Sequence, residues 1–168
     1  MTNIRPRCDD ERAAILVIVN AAAEAYRGAI PADRWHEPYI SRDEFERAIA
    51  AGVAFWGHEQ VGTLLGVMGL QAVRDVDLIR HAYVWPGHQR GGIGGALLAH
   101  LRGLSSRRML VGTWAAADWA IRFYQRHSFA LTSPTQKATL LKAYWSIPER
   151  QIETSVVLAD PPIDEALG

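Results

Sequence analysis

A single cysteine in 168 residues, Cys8, excludes an internal disulfide. A lone thiol near a terminus reads as inert, because reactivity needs a lowered pKa. Net charge is lacking too. The 18 basic residues balance the 18 acidic ones, so neither a nucleic acid nor an anionic membrane surface has electrostatic support as a partner. No apolar run approaches the ~20 residues of a membrane-spanning helix. Met1-Thr2-Asn3-Ile4-Arg5 does not read as a signal peptide, so a cytoplasmic location is expected. His58, His88, His100 and His127 lack the paired spacing of a metal site, and no metal is expected. Linkers and internal repeats are absent as well. The chain is long enough to bury its own core, and a single domain over residues 1–168 follows.

What is present is a glycine-rich turn, Trp85-Pro86-Gly87-His88-Gln89-Arg90-Gly91-Gly92-Ile93-Gly94-Gly95, leading into Ala96-Leu97-Leu98. The segment before it, Asp77 to Val84, suits a strand. After it, Ile93, Leu97, Leu101 and Leu104 recur at helical spacing. A helix opening here points its unpaired amides and the positive end of its dipole at whatever lies beyond Gly91 to Gly95, with no side chain to shield them. That chemistry suits a phosphate or pyrophosphate. Two familiar motifs fail the test. Read as GxGxxG from Gly92, the third glycine position falls on Leu97; read as GxxxxGK[ST] from Gly87, Ile93 and Gly94 stand where Lys and Ser/Thr are required.

Gln89-x-x-Gly92-x-Gly94, placed between a strand and a helix, resembles the cofactor motif of the GNAT superfamily of acetyl-CoA-dependent N-acetyltransferases: Arg or Gln, two residues, Gly, one residue, then Gly or Ala. A second segment, Ala120-Ile121-Arg122-Phe123-Tyr124-Gln125-Arg126-His127-Ser128-Phe129, is similar to the superfamily's later Ala-x-x-Phe-Tyr helix and Gly-Phe turn. Two departures stand out. Ser128 replaces the glycine, so the helix is expected to close in a different backbone conformation. Ala117 stands where the family often has an Asn that touches the pantetheine arm. The resemblance covers most of the chain.

The remaining elements are consistent with one α/β architecture. Ile4-Arg5 suits a short strand, and Asp9 or Asp10 can cap a helix reaching about Tyr26. Gly28 to Tyr39 reads as a loop. Ser41 and Glu44 form a capping box for a second helix ending near Gly52. Val53–His58 and Thr63–Gln71 look like a hairpin turning through Glu59 to Gly62, followed by the Asp77–Val84 strand. Arg108–Thr113, Phe129–Thr132 and Glu153–Ala159 are further strands, and Thr139–Trp145 is an extra helix between the last two. Tyr144 and Trp145 are placed toward the core. This order predicts a mixed α/β (α+β) fold, a mostly antiparallel sheet of six to seven strands flanked by helices. The insertion from Pro134 to Pro148 either packs or lids an acceptor pocket. With the loop Arg34 to Tyr39, it holds the positions where the resemblance places acceptor specificity.

The resemblance implies acetyl-CoA as co-substrate, with Gln89, Arg90, Gly91, Gly92, Ile93, Gly94 and Gly95 at the pyrophosphate. Backbone groups of Tyr83 and Val84 would meet the pantetheine arm at a splay near Val84, and Tyr124 would donate a proton to the departing thiolate. The acceptor would be a small-molecule or peptide amine attacking directly in a ternary complex. An amine of pKa ~10.4 is neutral at pH 7 in only about one molecule in two thousand, a cost of roughly 4.6 kcal/mol, so its proton must leave. His81 is the candidate base by pKa; a water chain is the other route. Strand alternation sets His81 with Ile79 and Tyr83, and Arg80 with Leu78 and Ala82, so that only one set is expected to face the pocket. Arg102, Arg107 and Arg108 read as solvated or as complementing a helix C-terminus. A CoA- or acyl-CoA-sensing module without acceptor chemistry is the alternative from another class. If the chain oligomerises, a homodimer is the expected form.

Overall fold

The computed structural model describes residues 3–7 and 9–164, which leaves Cys8 and the expectation attached to it outside the described residues. The chain divides into two units. One takes in the chain to Ala25, His36–Ala72 and Ile79–Ser106; the other takes in Tyr26–Trp35, Val73–Leu78 and the chain from Arg107.

In the first unit, β1 (Asn3–Pro6) pairs antiparallel with β2 (Ala54–Gln60), which pairs antiparallel with β3 (Thr63–Val73), and the order continues to β4 (Val76–Val84), of which the part from Ile79 belongs to this unit. The β2–β3 turn is only two residues long, Val61 (φ 50°) and Gly62 (φ 75°), tighter than the Glu59–Gly62 turn expected. A β-branched residue at positive φ is strained, and Val61 is fully exposed. Helix α1 (Arg12–Ala23) is preceded by a 3-10 turn at Asp9–Glu11 and followed by another at Glu24–Tyr26. Neither Asp9 nor Asp10 caps it. The N-cap is Glu11, whose side chain makes no capping bond. Helix α2 (Arg42–Ala50) does start on the Ser41–Glu44 capping box. Ile15, Val19, Phe45, Phe55 and Val67 form the core between these helices and the strands. Helix α3 (Ile93–Leu104) buries Ile93, Leu97, Leu98 and Leu101. Leu104 does not join them; it is 50% exposed at the helix end.

The second unit holds β5 (Arg108–Trp114), α4 (Asp118–Arg126), β6 (Ala130–Leu131), α5 (Pro134–Tyr144), α6 (Glu149–Glu153) and β7 (Ser155–Asp160). β7 pairs antiparallel with both β5 and β6, giving the order β5-β7-β6. Between β6 and β7 stand two helices rather than one, the second just past the Pro134–Pro148 insertion. The first begins five residues earlier than expected, because Ser133 and Gln136 form a second capping box with Pro134 at the first helical position. Leu110, Leu141 and Val157 form the core here, with Tyr144 and Trp145 packed partly against it. Arg107 and Arg108 are not simply solvated. Arg107 pairs with Asp77 at 2.5 Å and donates to the Arg74 carbonyl at 2.6 Å, and Arg108 donates to the Pro161 carbonyl at 3.2 Å. The architecture is mixed α/β with seven strands, mostly antiparallel, accompanied by helices.

Candidate functional site

The glycine-rich turn is a run of left-handed residues. Gly87 (φ 90°), Arg90 (φ 69°) and Gly92 (φ 83°) bend the chain out of β4, and His88 N–H closes the first bend on the Trp85 carbonyl at 3.0 Å. Gly92 is the N-cap of α3, so the helix begins at Ile93, three residues before the expected start at Ala96. The first backbone bond of α3 runs from Ala96 N–H to the Gly92 carbonyl at 3.0 Å. Ile93, Gly94 and Gly95 therefore lie in the first turn, where amides have no intrahelical acceptor. Residues 89–92 are exposed. Close packing holds this end in place: a Cβ on Gly66 of β3 would lie 2.7 Å from Ile93 Cγ2, so only glycine lets α3 approach so near. Trp85 and His88 also border a cleft of about 610 Å³ whose walls include Ala13, Val17 and Leu64. That cleft is lined mainly by apolar groups.

β4 departs from regular strand geometry at His81, which has φ 53°. The splay expected near Val84 thus begins three residues earlier. Trp85 N–H is spent on the Leu65 carbonyl of β3 at 2.7 Å, so strand alternation turns Val84 toward the other edge of β4. Gln89 touches that group, its Nε2 lying 3.5 Å from the Val84 carbonyl. The irregularity also overturns the alternation argument. The His81 ring lies 5.9 Å from that of Phe55, while Arg80 donates to Gln71 Oε1 at 2.8 Å, and Gln71 donates to the Ala51 carbonyl just after α2 at 3.0 Å. Both neighbouring side chains thus serve the α2 side of the sheet. His81 Nε2 is buried without a hydrogen-bond partner among the described residues, and burial together with the adjacent Arg80 charge lowers the imidazole pKa to about 4. The sequence set Arg80 with Leu78 and Ala82 by alternation but assigned it no role. The signal was available, since it is a permanent cation in an otherwise largely apolar strand.

Tyr124 lies on α4 and is 6% exposed, between the rings of Phe123 at 5.0 Å and Phe129 at 5.6 Å. Burial, reinforced by Tyr26, pushes its phenol far above the ordinary value, so the group stays protonated. Ser128 after α4 has φ 73°. The serine adopts the left-handed conformation that a glycine would take, rather than the different closure expected of it. Ala117, the other departure, is fully buried as the N-cap of α4 and supplies no side-chain cap.

A family model described as an acetyltransferase (GNAT) domain matches residues 6–143. The chain belongs to the GNAT acetyltransferase family. Solved structures with the same fold include the PaiA N-acetyltransferase of Thermoplasma acidophilum in complex with coenzyme A, at 14% identity and TM-score 0.69, covering 95% of this chain and 98% of that one. The YncA protein of Salmonella typhimurium with its cofactor acetyl-CoA matches at 24% identity and TM-score 0.61, covering 79% and 82%. N-acetylglutamate synthase of Neisseria gonorrhoeae, complexed with coenzyme A and N-acetyl-glutamate, matches at 22% identity and TM-score 0.63, covering 95% of this chain and 34% of that one. No curated protein matches the sequence.

Arg150 of α6 pairs with Asp33 at 3.1 Å, each just outside the stretches Arg34–Tyr39 and Pro134–Pro148 expected to carry specificity. Just ahead of the loop of residues 28–39, the Arg27 guanidinium lies 4.5 Å above the Trp35 ring. Farther along, Tyr39 meets Tyr83 of β4 edge-on at 6.5 Å, and Asn20 holds the loop's end by accepting from Ile40 N–H at 2.9 Å and donating to the Ile40 carbonyl at 3.1 Å. Among the described residues there is no group of three His, Cys, Asp or Glu side chains that could hold a metal, and no helix is long and apolar enough to cross a membrane.

Proposed function

We propose that this protein is a single-domain N-acetyltransferase that moves the acetyl group of acetyl-CoA directly to an amine in a ternary complex. The observation that carries this reading is the entry to α3, where Gly92 at φ 83° leaves the first-turn amides of Ile93, Gly94 and Gly95 bare. A pyrophosphate is the anion that fits such a row of donors in a GNAT acetyltransferase, with Gln89, Arg90 and Gly91 completing its surround. Tyr83 and Val84 then present the backbone of an irregular strand to the pantetheine arm. An N–H from this stretch meets the oxyanion that forms when nitrogen attacks the thioester carbon.

As the tetrahedral intermediate collapses, the C–S bond breaks and the electron pair leaves on sulfur. The parent thiol has a pKa near ~8.5, and the protonated Tyr124 phenol is the group that gives the departing thiolate a hydrogen bond or a proton. The amine's own proton leaves by water. His81 fits poorly as its resting place, since an imidazole of pKa about 4 holds a proton weakly at neutral pH. The neutral ring serves instead as a hydrogen-bond acceptor through Nε2. We place the protein in the cytoplasm, as a monomer or homodimer.

Thiol release from acetyl-CoA, followed across a panel of primary amines, tests the reading. Release that rises with at least one amine, with one acetamide formed per thiol, supports it. Tight coenzyme A binding without release from any amine would establish an acyl-CoA sensor instead.

A further inference from the structure

Two arginines in the first unit are withdrawn from water and are treated in opposite ways. The Arg7 side chain is 2% exposed, and its guanidinium is met by Glu11 at 2.8 Å and Glu59 at 2.7 Å. Arg80 is half-buried on β4, and its one side-chain partner is the neutral Gln71 Oε1. Among the described residues no carboxylate pairs with Arg80. Gln71 is itself anchored by the Ala51 carbonyl, so the amide and the guanidinium are held in line. A guanidinium carries five N–H donors and stays charged in proteins, and withdrawing such a charge from water without a counter-charge costs several kcal/mol. Burial lowers the Arg80 pKa, in keeping with a cation short of compensation. His81 beside it supplies no negative charge; it supplies an unpartnered Nε2.

The donor's phosphates do not answer this charge. Five strand steps of about 3.3 Å each separate Arg80 from Trp85, so the glycine-rich turn begins about 16 Å farther along the chain. The pantetheine arm that would span the interval is uncharged. An anion at Arg80 must therefore arrive with the other substrate. We propose that Arg80 binds a carboxylate of the acceptor, so that this protein acetylates amino acids or other amines that carry a carboxylate. The proposal rests on the acetyltransferase reading above and narrows its substrate class.

The experiment compares amino acids with their amides and their decarboxylated amines in the thiol-release assay, for the wild type, Arg80→Gln and Arg80→Lys. The wild type should prefer the acid over its amide by about ten- to a hundredfold in kcat/KM, the worth of a charged hydrogen bond. Arg80→Gln should collapse that preference to near one through KM for the acid, and Arg80→Lys should restore part of it. Preference for the amide or the plain amine in the wild type overturns the proposal, as does an equal loss toward all acceptors in Arg80→Gln. Calorimetry of the same amino acids against the coenzyme A-loaded protein separates this failure from that of the underlying reading. Binding that Arg80→Gln weakens at least tenfold supports the carboxylate site even where no thiol is released, and no binding at millimolar amino acid overturns it.

Discussion

The entry of α3 and the exit of α4 hold nearly the same backbone conformation with different residues. Gly92 has φ 83° and Ser128 has φ 73°. Under the proposed function, a bare backbone is the useful part at the first, since the amides that follow would be the donors offered to a ligand. At the second, under the same proposal, the backbone only has to turn, and the group that would act is the Tyr124 side chain one turn earlier on the helix. A serine can occupy a left-handed position at a cost of roughly 1–2 kcal/mol, and the turn keeps its shape. The comparison separates the need for positive φ, common to both sites, from the need for an unshielded peptide, present at only one. His81 is a third case, in which positive φ inside a strand redirects side chains.

The largest effect should come from the side-chain end. Tyr124→Phe keeps the ring between Phe123 and Phe129 and removes only the hydroxyl. Turnover should fall about a hundredfold or more, the usual worth of a positioned acid, with KM for acetyl-CoA within about twofold. Steady-state thiol release checks both constants, and unchanged turnover removes Tyr124 from the chemistry.

The next effect belongs to His81 and to pH. Its imidazole lies near 6.5 in the unfolded chain and about 4 in the folded one, so between those values the unfolded state binds the extra proton. The stability associated with keeping this ring neutral is present above about pH 6.5 and is lost as pH falls toward 4, up to about 3 kcal/mol. Denaturant titrations of wild type and His81→Gln from pH 4 to 7.5 should converge as the pH drops, through the steeper loss in the wild type. Parallel curves would mean that the ring is not held neutral by the fold.

The sequence made the element order legible because its signals are local: the Ser41–Glu44 box, the alternation in the strands, and the Gln89-x-x-Gly92-x-Gly94 turn. What it hid depends on contacts or on φ. The Ser133–Gln136 box follows the same rule as Ser41–Glu44, yet it sits beside a proline that reads as a break. His81 at φ 53° has no sequence signature at all, since histidine does not announce a left-handed residue as glycine does. That one angle moved the strand irregularity from Val84 to His81, and it let Arg80 and His81 serve one side of the sheet. The lack of a carboxylate for Arg80 was likewise invisible, because pairing is decided by residues distant in sequence, as Arg7 with Glu59 shows.

Gly92→Ala probes the bare-backbone end with a smaller change. A Cβ there meets no atom within 4 Å, so the penalty is conformational rather than steric contact with neighbours. Coenzyme A affinity should drop by up to about tenfold as the first turn of α3 relaxes out of line, equivalent to about 1.4 kcal/mol. Calorimetric titration with coenzyme A measures it. A variant that binds as tightly as the wild type would show that the amides tolerate a side chain and that glycine is not required at the N-cap.

Ser128→Gly should have the smallest effect, and its sign carries the comparison. Removing Cβ at φ 73° relieves strain in the folded state, while the added freedom of glycine favours the unfolded chain, and the two terms oppose each other at about 1 kcal/mol each. A left-handed serine sits on the side where relief prevails, so a gain of about 0.5 kcal/mol is expected, seen as a rise in Tm of about 1–2 °C for a chain of this size. Turnover and coenzyme A affinity should stay as they were, because this turn offers no peptide group to a ligand. A change in coenzyme A affinity on Ser128→Gly would make the two turns alike in function as well as in φ, and the separation between a bare backbone and a merely bent one would fail.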